Sequence, residues 1–265
     1  MNKFKDISYP KVQLTLGSTF TKDIKSLLSR KKIITEVIEK LKDDQVKMIS
    51  ICGMGGVGKT TMVKELIKII EKSKLFDEVA MAVVSQDINY EKIQIQIAEG
   101  LSMEMRKDSE QARAMQLLER LGEGKKILIV LDDVWDVLDF ESIGIPYLEH
   151  EKSCKILFTS RDEKVCQNMG CKVNFSVSVL QKDEAWYLFR EMAGEIVDSH
   201  DINPIARDVA KECAGLPLAI AIVGRALNNE GKSAWEDALS QLRNFQSSSF
   251  LDVEKFVYPH VELSL

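Results

Sequence analysis

Short apolar segments rich in β-branched residues alternate with amphipathic segments over the first part of the chain. Most of the apolar segments lack a strict apolar and polar alternation, which is typical of strands covered on both faces of a parallel sheet. Strands and helices in alternation are joined by right-handed crossovers that place helices on both faces. The pattern therefore predicts an α/β, doubly wound, five-stranded parallel sheet, with strands at 46–52, 78–85, 126–131, 154–159 and 174–180.

The segments between these strands have the periodicity of helices. In the segment after the first strand, apolar residues recur at i, i+3, i+4 and i+7 and form one stripe, which consists of Val63, Leu66, Ile67 and Ile70. Similar patterns predict helices at 90–101 and 109–122. The basic run Arg30 to Lys32 is predicted to be a solvated helix face.

From about residue 181 the strand pattern ends, and four successive segments are predicted to be helical. They would form a small bundle over 181–248, packed against the sheet because about 65 residues is close to the lower size for independent stability. Three aromatic residues are expected in the core of this bundle rather than at a ligand, namely Trp186, Phe189 and Trp235.

Composition and charge narrow the class of protein. The chain is 45% hydrophobic and 29% charged, as in ordinary globular proteins, and its net charge of −5 offers no general attraction for nucleic acid or an anionic membrane. It contains no apolar run long enough to span a bilayer and no signal-peptide pattern, which predicts a cytoplasmic location. Five cysteines without a CxxC pair predict buried reduced thiols.

The segment Gly53 to Thr60, "GMGGVGKT", matches the pattern G-x-x-x-x-G-K-[ST] between a predicted strand and a predicted helix. Glycines let successive backbone N–H groups surround phosphates, and the helix adds its positive N-terminal end. Lys59 would reach the β- and γ-phosphates, Thr60 would bind Mg²⁺, and Thr61 would contact the α-phosphate. The alternative is a structural glycine-rich turn. The predicted nucleotide-binding residues here are Gly53, Gly55, Gly56, Val57, Gly58, Lys59, Thr60 and Thr61.

Such a site needs a carboxylate from another strand, and "KKILIVLDDVWD" supplies two. They lie at the carboxyl end of the third strand, where ligands bind in open α/β sheets. Asp132 is the candidate metal residue, and Asp133 is a candidate for polarising an attacking water. Both residues could instead be loop or helix-capping acids.

Two further segments contain candidate site residues. In "LFTSRD", Thr159, Ser160 and Arg161 leave the fourth strand at the same edge, so that Arg161 is a candidate γ-phosphate contact, unless it is an ordinary ion-paired surface arginine. In "CAGLPLAI", Gly215 predicts a helix end and Pro217 a helix start, which together predict a helix junction.

These motifs, in this order and at these spacings, resemble the NB-ARC domain of plant nucleotide-binding leucine-rich-repeat disease-resistance proteins, a branch of the STAND ATPases. The resemblance covers Ser18 to Leu265 and implies ADP or ATP with Mg²⁺ as ligands. It also implies that Pro217 packs against adenine. The domains it implies are a linker at 1–20, a P-loop nucleotide-binding domain at 21–180, the helical bundle at 181–248, and the start of a truncated winged-helix domain at 249–265.

The resemblance implies an ADP/ATP switch module of an intracellular plant immune receptor. Other receptor domains or signalling proteins would be its partners, and nucleotide could drive oligomerisation. Two alternatives remain open. The first is a slow ATPase or P-loop kinase in which Lys59, Asp133 and Arg161 are catalytic, although an arginine-rich lid is not evident. The second is an adaptor or decoy fragment that acts without nucleotide.

Overall fold

The protein is described by a computed structural model that covers residues 27–105, 109–146 and 154–246. Its centre is a sheet of five parallel strands in the order β2-β3-β4-β1-β5, so the predicted fold class is confirmed. The predicted linker at 1–20 and winged-helix segment at 249–265 lie outside the described residues. The strands are β1 Met48–Cys52, β2 Glu78–Val83, β3 Ile127–Val134, β4 Cys154–Ser160 and β5 Val173–Ser176.

Helices connect the strands on both faces. The predicted helices at 90–101 and 109–122 are present, and each begins at a side-chain cap. Asn89 accepts a hydrogen bond from the Lys92 N–H, and Ser109 accepts one from the Ala112 N–H. The helices of this part are α1 Leu28–Lys42, α2 Lys59–Ser73, α3 Tyr90–Gly100, α4 Glu110–Leu121, α5 Phe140–Ile143 and α6 Glu163–Asn168.

The last part of the described chain is helical, as predicted. Phe189 and Trp235 are fully buried and meet edge to face with ring centroids 6.0 Å apart, whereas Trp186 stacks on Phe189 and is only partly buried. All three aromatic residues thus belong to or border the core. The elements are α7 Lys182–Ala193, a 3₁₀ turn Glu195–Asp198, α8 Asn203–Glu212, α9 Pro217–Ala226 and α10 Lys232–Gln246.

The sheet separates two hydrophobic cores. Along β3, Leu128 and Val130 face one core while Ile127, Ile129 and Leu131 face the other, as expected for the two-residue period of a strand. The first core contains α1, α2 and the helices from α7 onwards, whereas the second contains α3 and α4. The helical elements therefore share a continuous core with the helix that follows the glycine-rich segment.

The predicted fifth strand at 174–180 is too long. The strand ends at Ser176, after which Val177 donates its N–H to the Cys52 carbonyl (2.7 Å) and Leu180 donates to the Gly215 carbonyl (2.8 Å). The side chains of Val177 and Leu180 are nevertheless buried. The apolar run therefore predicted the burial of these side chains correctly, but their backbone lies beyond the end of the strand.

All five cysteines are free thiols, as predicted, and only Cys171 is partly exposed. Among the helices that the structure describes, none combines the length and apolarity needed to cross a bilayer.

Candidate functional site

The phosphate loop, Gly53 to Thr60, joins the end of β1 to the first turn of α2. Gly56 has a φ of +74°, a conformation that strains any L side chain. A Cβ atom at Gly53 would lie 2.4 Å from the Val177 carbonyl oxygen. Both positions therefore require glycine. Gly58 is the residue that precedes α2, Gly55 is buried, and the Val57 side chain is fully buried in the core.

Lys59 extends back over this loop. Its Nζ donates to the carbonyl oxygens of Gly53 (2.6 Å) and Met54 (3.1 Å), and the residue is only 7% exposed. Burial lowers the pKa of Lys59, the nearby Arg161 lowers it further, and Asp133 and Asp132 act in the opposite direction. The loop therefore encloses one buried cation.

Thr60 and Asp132, predicted as the metal residues, are in contact. Thr60 Oγ1 donates to Asp132 Oδ2 over 2.7 Å, although the two residues are 72 positions apart. Asp132 is 2% exposed, and its Oδ1 accepts a 2.6 Å hydrogen bond from Thr159 Oγ1. Thr61 follows Thr60 in the first turn of α2 and is half-buried.

The chemistry of this pair fits Mg²⁺. A hydroxyl and a carboxylate are hard oxygen donors, and Mg²⁺ is commonly bound by one or two protein oxygens together with substrate phosphates and water. The described part of the chain contains no group of three or more His, Cys, Asp or Glu residues suited to a metal. Thr60 and Asp132 would therefore hold a cation only together with a ligand such as a nucleotide.

A β-bulge at the carboxyl end of β3 contains both acids, Asp132 and Asp133. The β3–β4 register pairs Leu131 with Phe158 and then Val134 with Ser160, so that Asp132 and Asp133 both lie opposite Thr159. Asp133 has a φ of +59° and donates its N–H to Thr159 Oγ1 over 2.9 Å. The bulge directs Asp132 towards Thr60, whereas Asp133 is directed away from it.

Asp133 is bound on both carboxylate oxygens. Arg161 Nε donates to Oδ1 over 3.3 Å, and Trp135 Nε1 donates to Oδ2 over 3.0 Å. The Arg161 guanidinium also lies 4.4 Å from the centroid of the Trp135 ring. Arg161 and Trp135 line a cleft of about 770 Å³ at this edge of the sheet. Asp133 thus anchors Arg161, and Trp135 belongs to the same group although no sequence motif predicted it.

The helix junction of "CAGLPLAI" lies on the phosphate loop. Helix α8 ends at Glu212 and α9 begins at Pro217, which confirms the predicted junction. Leu218 donates its N–H to the Gly56 carbonyl (3.2 Å), and its Cβ would lie 3.1 Å from a Cβ at Gly56. Pro217 is buried beside this contact.

Arg30 is a residue near the loop that the sequence analysis missed. The prediction that Arg30 to Lys32 form a solvated face is wrong for Arg30, which is 3% exposed, although Lys31 and Lys32 are exposed. Its Nη2 donates to the carbonyl oxygens of Ser178 (2.6 Å) and Val57 (3.3 Å). Burial lowers the pKa of Arg30, and Glu184 opposes this shift. A possible signal was its place in the helix, because Arg30 lies four residues before the buried Ile34 on one face.

Comparison with known proteins identifies the family of this chain. The NB-ARC domain family matches residues 30–198, more than half of the chain. A protein of Arabidopsis thaliana named "Probable disease resistance protein" is 37% identical over 88% of this chain and 26% of its own length. The "Disease resistance protein UNI" of the same plant is 33% identical over 89% of this chain and 25% of its own length. The chain thus spans about a quarter of the length of these relatives.

Solved structures show the fold. Cdc6p from Pyrobaculum aerophilum has a TM-score of 0.55 at 17% identity over 75% of this chain and 61% of its own. Drosophila ORC bound to DNA has a TM-score of 0.55 at 16% identity over 94% of this chain and 69% of that one. At such identities the likeness concerns the P-loop NTPase fold alone. The family match and the plant relatives establish that this chain belongs to the NB-ARC domain family.

Proposed function

We propose that this chain is the adenine-nucleotide-binding switch module of a plant immune receptor, with ADP or ATP and Mg²⁺ as its ligands. The observation that carries the proposal is the hydrogen bond from Leu218 N–H to the Gly56 carbonyl, by which the helical elements contact the phosphate loop. A ligand that displaces the loop backbone must strain or break this contact. Phosphate binding would thereby be linked to the position of the helices.

The roles of the residues follow from their contacts. Backbone N–H groups of the phosphate loop and the N-terminus of α2 would bind phosphate oxygens, and Lys59 would exchange its two loop carbonyls for phosphate. Thr60 and Asp132 would hold Mg²⁺, which supplies charge neutralisation for the phosphates when bound. Arg161 would contact a γ-phosphate, Thr61 the α-phosphate, and Pro217 the adenine.

Slow turnover is proposed rather than fast catalysis. Each oxygen of Asp133 already accepts a hydrogen bond, from Arg161 and Trp135, so an attacking water would have to share this carboxylate with both donors. We therefore expect ATP hydrolysis, if measurable, to reset the switch. We further propose a cytoplasmic location, other receptor domains or signalling proteins as partners, and nucleotide-dependent oligomerisation.

The test is calorimetric titration of nucleotide-stripped protein with Mg²⁺-ADP, Mg²⁺-ATP and Mg²⁺-GTP. Wild type should bind both adenine nucleotides and bind GTP at least about tenfold more weakly, a difference of about 1.4 kcal/mol. Lys59→Ala should lose binding. The matched control is Lys64→Ala, which removes an exposed lysine from the same helix and should bind like wild type.

Three results would oppose the proposal in different ways. A folded wild type without nucleotide affinity would favour a nucleotide-independent adaptor. Equal losses of nucleotide affinity in Lys59→Ala and Lys64→Ala would mean that binding depends on the overall positive charge of the helix rather than on the phosphate loop. Steady-state phosphate release near 1 to 100 per second, the order of magnitude typical of kinases, would identify a working enzyme rather than a switch.

A further inference from the structure

Thr159 lies on β4 at the point where two acids of β3 oppose one residue. Its side chain is completely buried. The hydroxyl donates to Asp132 Oδ1 over 2.6 Å and accepts a hydrogen bond from the Asp133 N–H over 2.9 Å. One oxygen atom thus makes two hydrogen bonds, one to each acid of the bulge.

Each hydrogen bond stabilises a different part of the bulge. A non-glycine residue at a φ of +59° is strained and persists only where neighbouring groups hold it, and the Thr159 hydroxyl holds the backbone of Asp133. A carboxylate can also rotate about its terminal bond, so one fixed oxygen fixes the other. With Oδ1 bound to Thr159, Oδ2 of Asp132 faces the Thr60 hydroxyl.

We infer that Thr159 is a positioning residue that orients the Asp132 carboxylate for a divalent cation shared with a bound nucleotide. The inference rests on the proposed nucleotide-binding function and adds to it a residue that does not touch the ligand. Its hydroxyl would act on the cation only through Asp132. Loss of the hydroxyl should therefore raise the cation concentration that nucleotide binding requires. The affinity for nucleotide in the absence of a divalent cation should stay the same.

The test compares two variants that separate the hydroxyl from the methyl group. Thr159→Val keeps the shape and removes the hydroxyl, whereas Thr159→Ser keeps the hydroxyl and removes the methyl group. Affinity for a fluorescent ADP analogue is measured in EDTA and then across a Mg²⁺ titration. Near-ultraviolet circular dichroism checks folding, and Thr159→Ala, which also lacks the hydroxyl, replaces Thr159→Val if the latter does not fold.

In Thr159→Val, the Mg²⁺ concentration for half-maximal enhancement of binding should rise about tenfold, as expected for one lost hydrogen bond to a charged group. Affinity in EDTA should remain within about twofold of wild type, and Thr159→Ser should keep a near-normal Mg²⁺ requirement. Equal losses with and without Mg²⁺ would overturn the inference, and so would an unchanged requirement in Thr159→Val. Wild type that binds no nucleotide in either condition would overturn the proposed function itself.

Discussion

Arg161 and Asp133 form an ion pair at the carboxyl edge of the sheet, with Nε donating to Oδ1 over 3.3 Å. Their side chains are 28% and 32% exposed, so solvent weakens the pair without abolishing it. The indole of Trp135 completes the arrangement, since it donates to Asp133 and lies under the guanidinium. The candidate γ-phosphate contact is therefore held in place by Asp133 and Trp135.

Weakening this pair should favour ATP. Asp133→Asn keeps an acceptor for Trp135 but removes the charge that attracts Arg161, so less energy is needed to move Arg161 to a γ-phosphate. We expect the ratio of ATP to ADP affinity to rise about twofold to fivefold, as for the loss of a partly exposed ion pair. Calorimetry measures the ratio. Asp136→Asn, at an exposed position in the same segment, should leave it unchanged, and an equal rise there would contradict the explanation.

Two glycines with the same backbone conformation allow a matched test of the phosphate loop. Gly56 and Gly124 have φ angles of +74° and +81°, but a Cβ would meet Leu218 at the first position and nothing within 4 Å at the second. Gly124→Ala should lose about 1 kcal/mol from left-handed strain alone. Gly56→Ala should lose more and also lose nucleotide affinity. Urea unfolding and calorimetry measure the two effects, and equal effects of the two substitutions would argue against the Leu218 contact.

Arg30 should matter more than its position in a basic run suggests. Arg30→Ala removes two buried hydrogen bonds, to the carbonyls of Val57 and Ser178, and should lower the free energy of unfolding by about 2 kcal/mol. The control Arg190→Ala breaks an exposed ion pair with Asp198 and should cost about 0.5 kcal/mol or less. Urea unfolding measures both, and a larger loss in the control would refute the assigned role of burial.

The Cys213 thiol should lower the free energy of unfolding as the pH becomes alkaline. Burial raises the pKa of this thiol from 9.0 to about 12, so between these pH values the unfolded chain releases a proton that the folded chain retains. Its contribution to stability is complete below pH 9 and is lost progressively as the pH rises towards 12.

Urea unfolding between pH 8 and about 10.5 should therefore show a flatter loss of stability in Cys213→Ala than in wild type. The slope of the free energy of unfolding against pH is compared, because Cys213→Ala also removes buried volume and so lowers stability at every pH. Val209→Ala removes a buried aliphatic group from the same core and should keep the wild-type slope. Identical slopes in all three proteins would exclude the thiol as the titrating group.

Prediction from sequence succeeded where the signal is local. The phosphate loop is a continuous segment, and its glycines and Lys59 interact mostly with their own neighbours, as in the hydrogen bonds of Lys59 to Gly53 and Met54. The apolar segments identified the strands because a buried parallel strand must be apolar on both faces. The contact between Thr60 and Asp132 could also be anticipated, because parallel strands bring their carboxyl ends to one edge.

Prediction from sequence failed where a residue contacts backbone groups that are distant along the chain. Arg30 donates to the Ser178 carbonyl across 148 positions, and the helix periodicity that places it on the face of Ile34 does not identify this partner. The end of β5 was misplaced for a similar reason, since Val177 is buried by the loop and core around it rather than by the strand ladder.

The amino-acid sequence by itself determined the order of strands and helices, the phosphate loop and the residue types available at the sheet edge, because periodicity and backbone freedom are properties of short segments. Only the tertiary structure decided how Asp132 is turned to Thr60 while its neighbour Asp133 is turned to Arg161. That choice depends on a bulge opposite Thr159, and a bulge exists only in the pairing of two strands.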